Sequence, residues 1–154
     1  KPVAIGRLNQ FRSGEFGHMT LHIDGDTCYC GKKGCIDAYC SAKVLSQYTD
    51  YRLENFFEEL ENNNKAFEMI WNTYLNNLSI AINNLLMAFD CQLIIGGYVG
   101  SFIGPYMPKL LQLIDERSTF STPAETVLLP CRYRVEASAL GAAIIDMEQF
   151  IDAI

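Results

Sequence analysis

Three cysteines fall within eight residues in the run Asp24-Gly25-Asp26-Thr27-Cys28-Tyr29-Cys30-Gly31-Lys32-Lys33-Gly34-Cys35. Gly31 and Gly34 can take the positive φ angles that fold thiolates around an ion, so the run reads as a metal knuckle. Three thiolates leave a tetrahedral zinc site one ligand short. The nearby candidates are His18, His22 and Cys40. Cys40 lies in Ala38-Tyr39-Cys40-Ser41-Ala42-Lys43-Val44-Leu45, which reads as helix, so its thiol is expected to be a packing group. Spacing does not separate the two histidines. If Met19-Thr20-Leu21-His22-Ile23 is a strand, alternation puts His18 and His22 on one face, and either could look toward the knuckle. Cys91 and Cys131 stand alone beside apolar stretches, where a free thiol behaves as a small buried hydrophobe. The six cysteines therefore read as reduced, with one metal cluster, rather than as a disulfide framework. A reducing cytoplasmic setting follows.

The elements around the knuckle come from periodicity. Phe67, Ile70, Trp71, Tyr74, Leu78, Ile82, Leu85 and Phe89 recur at three- and four-residue spacings, which predicts one amphipathic helix from Lys65 to Phe89 with its aromatic stripe in the core. Asn62-Asn63-Asn64 breaks it from the acidic stretch before it. Leu93-Ile94-Ile95, closed by Gly96-Gly97, reads as a buried central strand ending in a tight turn, the place where open α/β sheets bind ligands. Gly96-Gly97-Tyr98-Val99-Gly100 is a weak match to a phosphate cradle, since it lacks the Lys-Ser/Thr pair of a P-loop. A second helix is expected over Pro105 to Arg117, a second buried strand over Thr126 to Pro130, and a closing helix over Glu136 to Ile151. Gly141 weakens that last helix, which close packing against a neighbour would explain. The alternation is that of an α/β fold.

The chain has 154 residues, of which 49% are hydrophobic and 19% charged, an ordinary globular composition for one domain over 1–154. Its net charge of −6 offers no footprint for a phosphate backbone or anionic lipid. No apolar run approaches the ~20 residues of a membrane span. The chain begins Lys1-Pro2-Val3, without a leader, and reads as a fragment. Tyr98, Phe102 and Tyr106 fall near one segment, and as an exposed aromatic cluster they would favour self-association.

The run Gly14-Glu15-Phe16-Gly17-His18-Met19, followed by Cys28-x-Cys30-Gly31-x-x-Gly34-Cys35-x-Asp37, closely resembles the signature of the ROK family of repressors, open reading frames and sugar kinases. Leu93-Ile94-Ile95-Gly96-Gly97 and Glu136-Ala137-Ser138-Ala139-Leu140-Gly141-Ala142-Ala143 are similar to later family segments in the same order, most like the N-acetylglucosamine and xylose repressor branch. The resemblance implies an actin-like, ribonuclease-H-type fold. This chain would be its C-terminal lobe, with the knuckle over about 18–37 and the upstream lobe absent. It also implies zinc held by His18, Cys28, Cys30 and Cys35, and sugar hydroxyls held by Glu15, His18 and Asp37. An imidazole that binds zinc through one nitrogen can donate from the other to a hydroxyl, so the metal would fix the orientation of a sugar contact.

This chain departs from the family pattern in two places. Asp37 stands where members usually carry Glu, and the segment from Gly6 to Glu15 is short. In the kinases, the catalytic aspartate and much of the ATP phosphate site belong to the other lobe, so no catalytic residue is expected here. Three functions compete. The first is a sugar-effector-binding, zinc-containing and oligomerising domain of a transcriptional regulator, reaching DNA only through a further domain. The second is half of an ATP-dependent sugar kinase, and the third is a structural zinc domain without ligand. The altered Asp37 and the short segment favour the regulator, whose partners would be a small sugar or sugar phosphate and a second copy of itself, with no membrane.

Overall fold

A computed structural model describes residues 14–133 and 136–151. In chain order, a 3-10 turn at Phe16–His18 leads through the knuckle into two short helices, α1 (Asp37–Cys40) and α2 (Ala42–Ser46). Helices α3 (Leu53–Glu61) and α4 (Lys65–Phe89) follow, then strand β1 (Leu93–Ile95) and the one-turn helix α5 (Gly97–Gly100). After a 3-10 turn at Gly104–Tyr106 come α6 (Met107–Asp115), the single turn α7 (Ala124–Val127), strand β2 (Leu128–Pro130) and α8 (Ala137–Ile151).

The long helix takes the bounds its periodicity predicts. Asn64 caps α4 by accepting from the Ala66 N–H at 3.1 Å, and the chain leaves the helix through Asp90, held left-handed at φ 42°. Trp71, Tyr74, Leu75 and Ile82 bury the inward face of α4. They meet Phe56 and Phe57 from α3, and Leu110 and Ile114 from α6, in one core. Leu45, from α2, joins the same core and is fully buried. The knuckle and the α1 turn are thus carried on the outer side of a three-helix layer.

Several expectations are corrected. Met19–Ile23 is no strand; the segment meets the knuckle through an isolated antiparallel bridge of Thr20 with Cys35 and through the Leu21 and His22 N–H groups, which donate to the Gly34 carbonyl, while Thr27 and Lys33 bridge within the knuckle itself. The stretch from Ala38 to Leu45 is broken at Ser41, whose ψ of 158° is extended, so it makes two helices instead of one. Helix α6 starts two residues after Pro105, because Pro105 and Pro108 favour a first turn without internal hydrogen bonds. Strands β1 and β2 pair in parallel, with Leu93 beside Leu128 and Ile95 beside Pro130. Leu128 is buried, but Ile94 is 68% exposed, so β1 is no buried central strand among the described residues. Thr126 and Val127 belong to α7 rather than to β2.

Among the described residues a Cβ at Gly141 would meet nothing within 4 Å, so none of them packs closely against it. Cys91 is exposed and Cys131 half-buried, neither a fully buried hydrophobe. The aromatic cluster is mostly core: Phe102 stacks on Phe57 at 4.4 Å and Tyr106 meets Trp71 edge-on at 5.0 Å, which leaves Tyr98 alone exposed. Most of the shortened segment, residues 6–13, lies outside the described residues. No helix among them is long and apolar enough to cross a membrane.

Candidate metal and ligand site

The knuckle is built by backbone rather than by regular elements. Gly31 and Gly34 take φ of +80° and +76°, as the sequence led one to expect. Gly34 is fixed twice over, since a Cβ there would collide with the His22 carbonyl oxygen. Its own N–H donates to the Asp26 carbonyl at 2.8 Å, and the Cys28 N–H donates to the Lys32 carbonyl at 2.7 Å, closing the loop that presents the thiols.

The ligand atoms of His18, Cys28, Cys30 and Cys35 all lie within 4.8 Å of one another, a group that could hold a metal ion. Cys30 Sγ and Cys35 Sγ are 3.7 Å apart, and Cys28 Sγ is 3.8 Å from His18 Nδ1. Tetrahedral coordination with metal–sulfur bonds near 2.3 Å separates its sulfurs by about 3.8 Å, so these spacings fit a small four-coordinate cation. Cys28 and Cys35 are buried while Cys30 is exposed, which gives the cluster one open side. Hydrogen bonding from the Lys32 backbone pulls the Cys30 thiol below its usual range. Burial, reinforced by the neighbouring thiols, pushes Cys35 up to about 11. Crowded sulfurs with opposed protonation preferences are what a cation would reconcile, because metal binding deprotonates coordinating thiols outright.

The structure separates the two histidines that spacing left open. His18 turns Nδ1 to the sulfurs. His22 turns away, its Nε2 2.9 Å from Oδ1 of the buried Asn77 on α4, with its ring edge-on to Tyr39 at 4.6 Å. Cys40 stands apart from the cluster, beside Tyr74 and Leu78 at a cavity wall, and burial pushes its thiol up to about 12. His22 is therefore a latch between knuckle and helix, and Cys40 is a packing group.

On the other side of the His18 ring, Nε2 faces Glu15 and Tyr29. The Glu15 carboxylate lies 4.0 Å away and the Tyr29 hydroxyl 3.2 Å away, and that hydroxyl donates to Asp37 Oδ2 at 3.1 Å. This hydrogen bond to Asp37 is the main cause of a raised Tyr29 pKa. Asp37 opens α1, and its carboxylate packs so closely on Gly17 that a Cβ there would overlap it. His18 and Asp37 thus meet on one hydroxyl, with Glu15 beside the His18 ring. Tyr29 is the residue sequence reasoning missed: it sits between two knuckle cysteines, and no spacing pattern signals where an exposed ring points. A cavity of about 300 Å³ lies against Tyr29 and Asp37. A larger one, about 410 Å³, opens between the end of α4 and residues 118–122, away from the cluster and without its converging groups.

Residues 9–149 match the model of the ROK family. The chain belongs to the ROK family. It is 25% identical over 142 residues to an N-acetylmannosamine kinase of Escherichia coli O6:H1, covering 88% of this chain and 47% of that kinase. It is 30% identical over 151 residues to a xylose repressor of Bacillus spizizenii, covering 92% of this chain and 38% of that repressor. The chain thus spans half or less of the length of these curated relatives. Among solved structures, a ROK hexokinase from Thermus thermophilus superposes with a TM-score of 0.72 at 26% identity, over 86% of this chain and 47% of the hexokinase. A ROK glucokinase from Streptomyces griseus, 20% identical with a TM-score of 0.65 over 87% of this chain and 52% of that one, shares the fold. These neighbours have the actin-like ATPase fold.

Proposed function

We propose that the chain is the zinc-containing, sugar-binding lobe of a ROK transcriptional regulator. Zinc would be held by His18, Cys28, Cys30 and Cys35, and sugar hydroxyls by Glu15, His18 and Asp37. The observation that carries the reading is the convergence of His18 Nε2 and the Asp37 carboxylate on a single hydroxyl, with Glu15 4.0 Å from the same nitrogen and His18 Nδ1 turned to the sulfurs. A metal on Nδ1 leaves the proton on Nε2, aimed at the hydroxyl, while Asp37 accepts that hydroxyl's proton. Support for a regulator comes from the xylose repressor's 30% identity. A kinase is the second reading, favoured by the N-acetylmannosamine kinase relative and the hexokinase likeness. Self-association, a cytoplasmic location and access to DNA through a further domain complete the proposal; Ile144, Met147 and Phe150, exposed along α8, offer the apolar surface for a second copy.

Calorimetric titration of the zinc-loaded protein against a small sugar panel tests it. Glu15→Gln should weaken binding, and by more than Asp37→Glu, whose change should stay within ~1.5 kcal/mol, the net worth of one hydrogen bond. Zinc content should be unchanged in both. Indifference of every sugar to both substitutions would make this a structural zinc domain. ATP-dependent turnover of a sugar by the protein would decide for the kinase.

A further inference from the structure

The Tyr29 phenol stands where the proposed site would take a ligand hydroxyl. One oxygen makes both contacts that a sugar hydroxyl would make, accepting from His18 Nε2 at 3.2 Å and donating to Asp37 Oδ2 at 3.1 Å. Yet the residue is 79% exposed, and its ring meets only the edge of His18, at 5.1 Å and 61°, among the aromatic pairs of the described residues. Two hydrogen bonds in competition with water hold such a side chain weakly. Its backbone, by contrast, lies between two knuckle cysteines, so the ring can move while its anchor stays. The adjoining cavity of about 300 Å³, lined by Thr27, Ser41, Lys43 and Gln47 as well as Tyr29 and Asp37, has the size of a small-molecule site and polar groups to orient a ligand.

We propose that Tyr29 gates the sugar site. With no ligand bound, the phenol satisfies His18 and Asp37 and keeps them in register. A sugar enters by supplying its own hydroxyl to the same two groups, and the ring swings out. The gate rests on the sugar-binding reading above and adds that the site is occupied by the chain itself. Closed molecules do not bind, so apparent affinity falls by the open fraction.

Tyr29→Phe keeps the ring and removes the competing hydroxyl. The zinc-loaded parent and this variant are titrated calorimetrically with D-glucose, D-xylose, N-acetyl-D-glucosamine and N-acetyl-D-mannosamine, with zinc content and melting temperature measured on both. Tighter binding of at least one sugar by Tyr29→Phe, by about 3- to 10-fold at unchanged zinc content, is the expected result. Binding of a sugar by the variant that the parent does not measurably bind would support the gate equally. Equal or weaker binding by the variant would overturn the gate and leave the sugar reading standing. No binding by either protein would overturn both.

Discussion

His18 joins two kinds of chemistry through one ring, with Nδ1 3.8 Å from the Cys28 sulfur and Nε2 3.2 Å from a hydroxyl. Either nitrogen alone would make an ordinary ligand or an ordinary polar contact. Together they make the orientation of the second depend on the first, since a metal-bound imidazole has one tautomer. The cysteines differ in kind as well. Cys30 is exposed with its thiol pulled down, whereas Cys40 is pushed up to about 12 by burial. The account predicts one zinc per chain by elemental analysis, loss of stoichiometric zinc in Cys30→Ser, and full retention in Cys40→Ser. Zinc lost equally from both variants would contradict the assignment. The cysteine cluster was legible in the sequence because the ligands are local. Tyr29 was not, because its bond to Asp37 is made across the knuckle by a ring whose direction no spacing encodes.

At the scale of elements, the knuckle has little regular structure and must borrow rigidity from α4. Its latch is His22, bonded at 2.9 Å to Asn77, which is only 7% exposed. Removing the donor strands a buried amide oxygen, so His22→Ala should cost about 1–3 kcal/mol in denaturant unfolding while zinc content stays near one per chain. A cost below about 0.5 kcal/mol, within the range of surface substitutions, would show that the latch is idle. Helix α4 was readable because its 25 residues repeat the same apolar spacing and start from an Asn cap. Short elements were less so. The three-residue strands carry no period long enough to fix which face is buried, and Ile94 is exposed although its neighbours are apolar. The break at Ser41 follows from a single extended residue, a change of backbone state that apolar spacing does not record.

For the whole molecule, the core carries a dependence on pH that can be given a sign. Burial raises the Cys40 thiol from its usual 9.0 to about 12 and raises the Tyr74 phenol, which donates to the Cys40 carbonyl at 2.7 Å, above its usual 10.0. Both groups are neutral in the fold where the unfolded chain would ionise them. Their stabilisation is fully present below about pH 9 and is lost as pH rises from there toward the folded values, by about 1.4 kcal/mol per pH unit for each group in its window. Denaturant midpoints of the zinc-loaded protein should therefore hold steady between pH 7 and 8.5 and fall above about pH 9.5. A flat profile to pH 11 would contradict the burial of the pair. The fold matches about half of a ROK hexokinase, and in this chain the group that could hold a metal and the hydroxyl contacts meet at one imidazole. That union is the central claim, and nitrogen NMR of the His18 ring in the zinc-loaded protein, recorded while sugar is added, tests it most directly. The account predicts Nδ1 bound to metal, Nε2 protonated, and an Nε2–H resonance that moves on titration with sugar. Metal on Nε2, or an Nε2–H resonance unmoved by every sugar of the panel, would contradict it.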